Sequence, residues 1–136
     1  MTDSEKWAWW TLGVVALTAA AYATFVALLG HWDAAQSVFA LIALTALPKS
    51  SRRYFKGRRL DEREIYIANA ALLAGFRALW VAFIGFVVPF GFIKGWDTSV
   101  NVPMWVFSSS VWWATMLLLT VQATTTLVLY RRGAHA

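Results

Sequence analysis

From Ile65 to Ile93 the chain reads "IYIANAALLAGFRALWVAFIGFVVPFGFI", and Arg77 is its only charged residue. A run of that length reads as a membrane-crossing helix. In hydrocarbon every backbone N–H and C=O must be paired within the segment, and a helix achieves that by itself. Three further apolar segments accompany it, so four spans are expected at about 7–29, 33–48, 65–93 and 103–130. The second is short. About 15 residues of α-helix rise roughly 22 Å, less than the ~30 Å hydrocarbon core. It reaches the headgroups only if it extends past Pro48 with its basic side chains snorkelling; a re-entrant segment is the alternative.

Composition supports a membrane class. The chain is 60% hydrophobic and 14% charged, where soluble domains carry roughly a quarter charged residues. At 136 residues it holds a single transmembrane domain. With no Cys, there is no thiolate metal site and no Cys nucleophile. His31 and His135 stand far apart and form no ligand pair. "Ala21-Tyr22-Ala23" imitates a signal-peptidase site, but the preceding "MTDSEK" is not basic on balance and the apolar run continues to Leu29, so the segment is expected to stay.

Charge sets the expected threading. The central loop carries Lys49, Arg52, Arg53, Lys56, Arg58, Arg59 and Arg63; the chain ends carry Lys6, Arg131 and Arg132. The other two loops carry only Lys94. With four spans these basic regions share one side, which the positive-inside rule assigns to the cytoplasm. The expected fold is therefore an all-α integral membrane four-helix bundle with both termini cytoplasmic. Two helical hairpins would be joined by the basic loop. Trp7, Trp9 and Trp10 would lie at the cytoplasmic interface, and Trp32, Trp96 and Trp105 at the outer one.

Helix starts are marked by Asp33-x-x-Gln36 and Asp61-x-x-Glu64, both with capping-box spacing, and by Pro103. Pro89 should kink the third span. Ala19, Ala23 and Ala27 form one rail of small residues, and Ala70, Ala74, Ala78 and Ala82 another. Small residues let backbones approach closely, so the rails suggest packing of the first span on the third, or a contact between subunits.

Arg77 is the leading candidate for chemistry. It lies about 12 residues, or roughly 18 Å, past Ile65, near mid-bilayer, where an arginine costs on the order of 3 kcal/mol. Its side chain should lean towards the helix N-terminus. Gln122 and Thr120 of the last span are expected at that depth, with Asn69 two turns nearer the cytoplasm. No Asp or Glu lies in the interior of any predicted span, so the partners of Arg77 are neutral groups, an anion, lipid phosphate or another subunit. Trp80, Trp112 and Trp113 fall in the outer half; they read as aromatic packing or, alternatively, as a pocket wall beside Arg77. Ser108, Ser109 and Ser110 read as polar glue or a wet vestibule.

The loop "RRYFKGRRLDERE" is the second candidate. Basic clusters beside a membrane attract anionic lipid at about 1 kcal/mol per residue, and the same pattern suits an acidic protein partner. Arg52, Arg53, Lys56, Arg58 and Arg59 would make that contact. Asp61, Glu62 and Glu64 offset the basic run and favour the positive end of the helix dipole. Nucleic acid is disfavoured because no binding fold accompanies the charge. Neither a phosphate loop nor a metal-ligand pattern is present, so no enzymatic activity and no cofactor are expected.

At "GRRLDEREIYIANAALLAGF" the chain resembles a group of small prokaryotic four-helix membrane proteins with a basic central loop ending in an Asp-Glu-Arg motif. The matching residues are Asp61, Glu62, Arg63 and Glu64, followed by Ile65, Ala68, Ala70 and Ala71. The resemblance implies two hairpins paired through the loop, and a membrane-bound regulatory or sensing partner, since genes of that group often lie beside a helix-turn-helix regulator. Arg77 and the tryptophans are not part of its pattern. Two functions are thus in play: a regulatory or interaction protein acting through its basic loop, and an oligomeric small transporter or channel using Arg77 for an anionic or polar solute.

Overall fold

In a computed structural model of the full chain, the structure describes residues 2–30, 35–46, 62–95, 99 and 101–133. Among these it is all-helical, with α1 (Asp3–Leu29), a 3₁₀ helix η1 (Gln36–Ala46), α2 (Glu62–Lys94) and α3 (Met104–Gly133). The α-helices are long and apolar enough to cross a membrane; at 1.5 Å per residue all three exceed the ~30 Å hydrocarbon core.

Their ends follow local rules. Thr2 and Glu5 cap α1 reciprocally: the Thr2 backbone N–H donates to the Glu5 carboxylate at 2.7 Å and the Glu5 N–H to the Thr2 hydroxyl at 3.3 Å. The helix stops at Gly30, whose φ of 63° is left-handed and whose N–H returns to Val26 O. α2 continues through Pro89 to Lys94. Pro103 precedes α3, and its carbonyl accepts from the N–H groups of Val106 and Phe107.

The second segment departs from expectation. Its described part is not an α-helical span but eleven residues of 3₁₀ helix. At ~2.0 Å per residue this covers about 22 Å, against roughly 16 Å for the same residues as α-helix. The tighter winding stretches a short segment further. It also eclipses side chains three apart, so Gln36, Phe39, Ile42 and Thr45 fall on one row. Phe39 and Ile42 are buried, while Ser37, Ala40 and Ala43 form an exposed row. Both ends are stapled. Gln36 gives its amide N–H groups to Trp105 O at 3.0 Å and Ser109 Oγ at 3.3 Å; its expected cap partner Asp33 lies outside the described residues. At the other end the indole N–H groups of Trp10 and Trp7 donate to Leu44 O at 3.0 Å and Thr45 O at 3.4 Å. These are terminal carbonyls, which a helix leaves without internal partners.

Packing corrects the expected pairing. α3 lies between α1 and α2, and η1 packs mainly on α1; no comparable α1–α2 interface forms. The buried face of α1 is Trp7, Ala8, Thr11, Val14, Val15, Thr18 and Tyr22, and of its alanine rail only Ala19 is half-buried, with Ala23 and Ala27 exposed. On α2 the buried row is Ile67, Ala71 and Gly75, flanked by the half-buried Ala70, Ala74 and Ala78. Small residues do allow close approach here, but to α3. A Cβ on Gly75 would stand 3.2 Å from the Leu118 carbonyl oxygen.

The core centres on Phe39, which is fully buried. Its ring lies 4.9 Å from Tyr22, 5.7 Å from Trp112 in a stacked arrangement and 5.8 Å from Trp113 edge-on. This cluster joins η1, α1 and α3. Phe39→Ala should destabilise the protein by about 3 kcal/mol, read as a lower denaturation midpoint in detergent, whereas Phe39→Leu should cost clearly less.

Candidate functional site

The polar residues of an apolar helix must bond to something. On α3 the hydroxyls of Ser110, Thr115, Thr120 and Thr126 donate to Phe107, Val111, Met116 and Gln122 carbonyls three or four residues back, at 2.7–2.9 Å. Thr120 thus spends its donor on its own helix, while its oxygen can still accept. Two buried groups escape this rule: Thr11 Oγ1 and Tyr130 Oη have no hydrogen-bond partner among the described residues.

Tyr130 lines a cavity of about 130 Å³ where the three long helices meet at one end of the molecule. α1 contributes Ser4 and Trp7, α2 contributes Glu64, and α3 contributes Gln122, Thr126 and Tyr130. Ile67 and Ala68 of α2 complete the lining. Because Ser4, Glu64 and Tyr130 surround one cavity, the start of α1, the start of α2 and the end of α3 lie together. The staples of η1 give the same sense: it runs from the Trp105 end back to the Trp7 end.

Charge gathers at this end. Lys6 lies one turn into α1, in a 3.8 Å surface pair with Asp3. Arg131 is near enough for its charge to act on Glu5. The Arg63 guanidinium lies over Gly133, so that an added Cβ there would collide with it. A cation at the last turn of α3 meets the negative end of the helix dipole, and Arg131 and Arg132 occupy that turn themselves.

The structure brings some expected site residues together and separates others. Gln122 and Glu64 share the cavity. Gln122 also stands beside Gly75, its Cβ 3.9 Å from where a Cβ of Gly75 would be. Arg77 is only two residues further along α2, yet two residues turn a helix by roughly 200°. Arg77 is thus on the exposed face, with Asn69 and with Trp80, which is 61% exposed. Trp80 meets Phe83 edge-on at 6.0 Å, not Trp112 or Trp113, which belong to the Phe39 cluster. The Arg77–Gln122–Thr120 clamp is therefore not formed within one chain. Glu62 is exposed in the first turn of α2. Arg52, Arg53, Lys56, Arg58, Arg59 and Asp61 lie outside the described residues.

Ser4, Trp7, Thr126 and Tyr130 were not marked as site residues by the sequence. Trp7 reads there as an interfacial aromatic and Tyr130 only as the end of the last span; the packing of α3 between its neighbours turns them onto a shared cavity. No family model, no curated protein and no solved structure matches this chain.

An unpartnered buried hydroxyl carries a desolvation cost of about 1–3 kcal/mol. Tyr130→Phe should therefore leave the protein in plain detergent at least as stable as the parent, measured by thermal unfolding; a marked loss would reveal a hydrogen bond absent from this arrangement.

Proposed function

We propose that this chain is a multi-pass protein of the cytoplasmic (inner) membrane, that it is not an enzyme, and that it acts through its basic end as a regulatory or interaction partner. The observation that carries this reading is the convergence of Lys6, Arg63, Arg131 and Arg132 at the end where α1 and α2 begin and α3 finishes. Arg52, Arg53, Lys56, Arg58 and Arg59 precede α2 in sequence and add to the same charge. The positive-inside rule places such an end in the cytoplasm, with both termini there. A basic face at the foot of apolar helices suits anionic headgroups, at about 1 kcal/mol per residue, or the acidic surface of a protein partner. The regulatory role extends the likeness to small four-helix membrane proteins at Asp61–Glu64.

Replacing Arg63, Arg131 and Arg132 by Gln, alone and together with the five loop residues, should progressively weaken retention of phosphatidylglycerol in native mass spectrometry. It should also release co-purifying acidic partners. Unchanged retention in the full variant would remove this reading.

A second reading is an oligomeric transporter or channel. It is favoured by Arg77, the one charge between Ile65 and Ile93, which stands on the exposed face of α2 with Asn69 and Trp80. Within one chain that face is not part of the cavity, so any path along it needs further copies. On this reading Arg77→Gln should abolish anion flux in liposomes and shift the oligomer to smaller species; identical flux and size would exclude it.

A further inference from the structure

We infer that the cavity between the starts of α1 and α2 and the end of α3 binds a small organic ammonium group. Four observations combine. Two electron-rich rings, Trp7 and Tyr130, line it, and aromatic faces attract cations within about 6 Å. Glu64 supplies a carboxylate, and among the described residues no Lys or Arg lines the cavity, so this lining disfavours an anion. Tyr130 is 8% exposed and its oxygen has no partner, which leaves an acceptor for an ammonium N–H; the Gln122 amide oxygen is a second acceptor. The volume of about 130 Å³ suits a headgroup, being well below the ~300–1,000 Å³ of pockets for drug-sized ligands.

A metal ion fits less well. Calcium and magnesium draw on several oxygen ligands, commonly more than one carboxylate, and no group of three His, Cys, Asp or Glu gathers among the described residues. The rim points further. Arg63 neighbours Glu64 in sequence and lies over Gly133, and Arg131 follows Tyr130. An ammonium in the cavity with a phosphate on these guanidinium groups is the pattern of an ethanolamine headgroup. A free alkylamine shares the ammonium chemistry and lacks the phosphate.

The test uses the full-length protein, with ethylammonium as the free probe and nanodiscs of phosphatidylethanolamine or phosphatidylglycerol as the lipid probes. Calorimetry should show saturable ethylammonium binding. Glu64→Gln should weaken it at least tenfold and Tyr130→Phe several-fold, while Glu64→Asp keeps a substantial part and guards against a fold defect in the Gln variant. Native mass spectrometry then identifies the source. Retained phosphatidylethanolamine that ethylammonium displaces assigns a lipid headgroup, and ethylammonium binding without retained phosphatidylethanolamine assigns a free amine. No saturable binding of either, or binding untouched in Glu64→Gln, overturns the proposal. Phosphatidylglycerol retention through the arginines is a separate readout, so this site can fail while the lipid-surface reading stands.

Discussion

The carbonyl groups at the end of η1 set the terms for the rest of the molecule. In an apolar medium an unpaired backbone group costs several kcal/mol, and the last carbonyls of any helix have no internal donor. Leu44 and Thr45 solve this with two indoles from the first turns of α1, and Gln36 ties the opposite end to α3. With both ends held, Phe39 and Ile42 are the buried pair of the segment, set among α1 and α3 side chains. The aromatic cluster around Phe39 follows from that, and so does the sharing of one end by both chain termini.

α3 plays the complementary part. It is the least apolar of the three long helices, and it is the one packed against both of the others. Four of its hydroxyls bond to their own backbone, so their polarity is compatible with lipid without a partner helix. Gln122 and Tyr130 share the cavity at the basic end.

Much of this was legible in the residues. Length and apolarity mark the three long helices, and the expected start of α2 lies within a few residues of Glu62. The depth at which Gln122 meets α2 follows from counting residues along two helices at 1.5 Å each. The face was not legible. Alanine occurs on several sides of α2, so Ala70, Ala74, Ala78 and Ala82 formed the more regular series, yet Ile67, Ala71 and Gly75 carry the contact. At Gly75 the missing Cβ lets the Leu118 carbonyl approach, where an added one would stand a tight 3.2 Å away. The 3₁₀ winding was equally hidden. Gln36, Phe39, Ile42 and Thr45 fit a period of three, but Val38, Leu41 and Leu44 also read as apolar, and nothing in the spacing announces which hydrogen bonds the ends will make.

The pitch of η1 has a mechanical corollary. Rewinding its eleven residues from ~2.0 to ~1.5 Å per residue would shorten the segment by about 5 Å. The Gln36 staple and the two indole staples could not then hold together. The segment works as a gauge block wedged between fixed jaws: only one length satisfies both ends. A change in the offset of α1 against α3 would strain the staples at one end of the segment or the other.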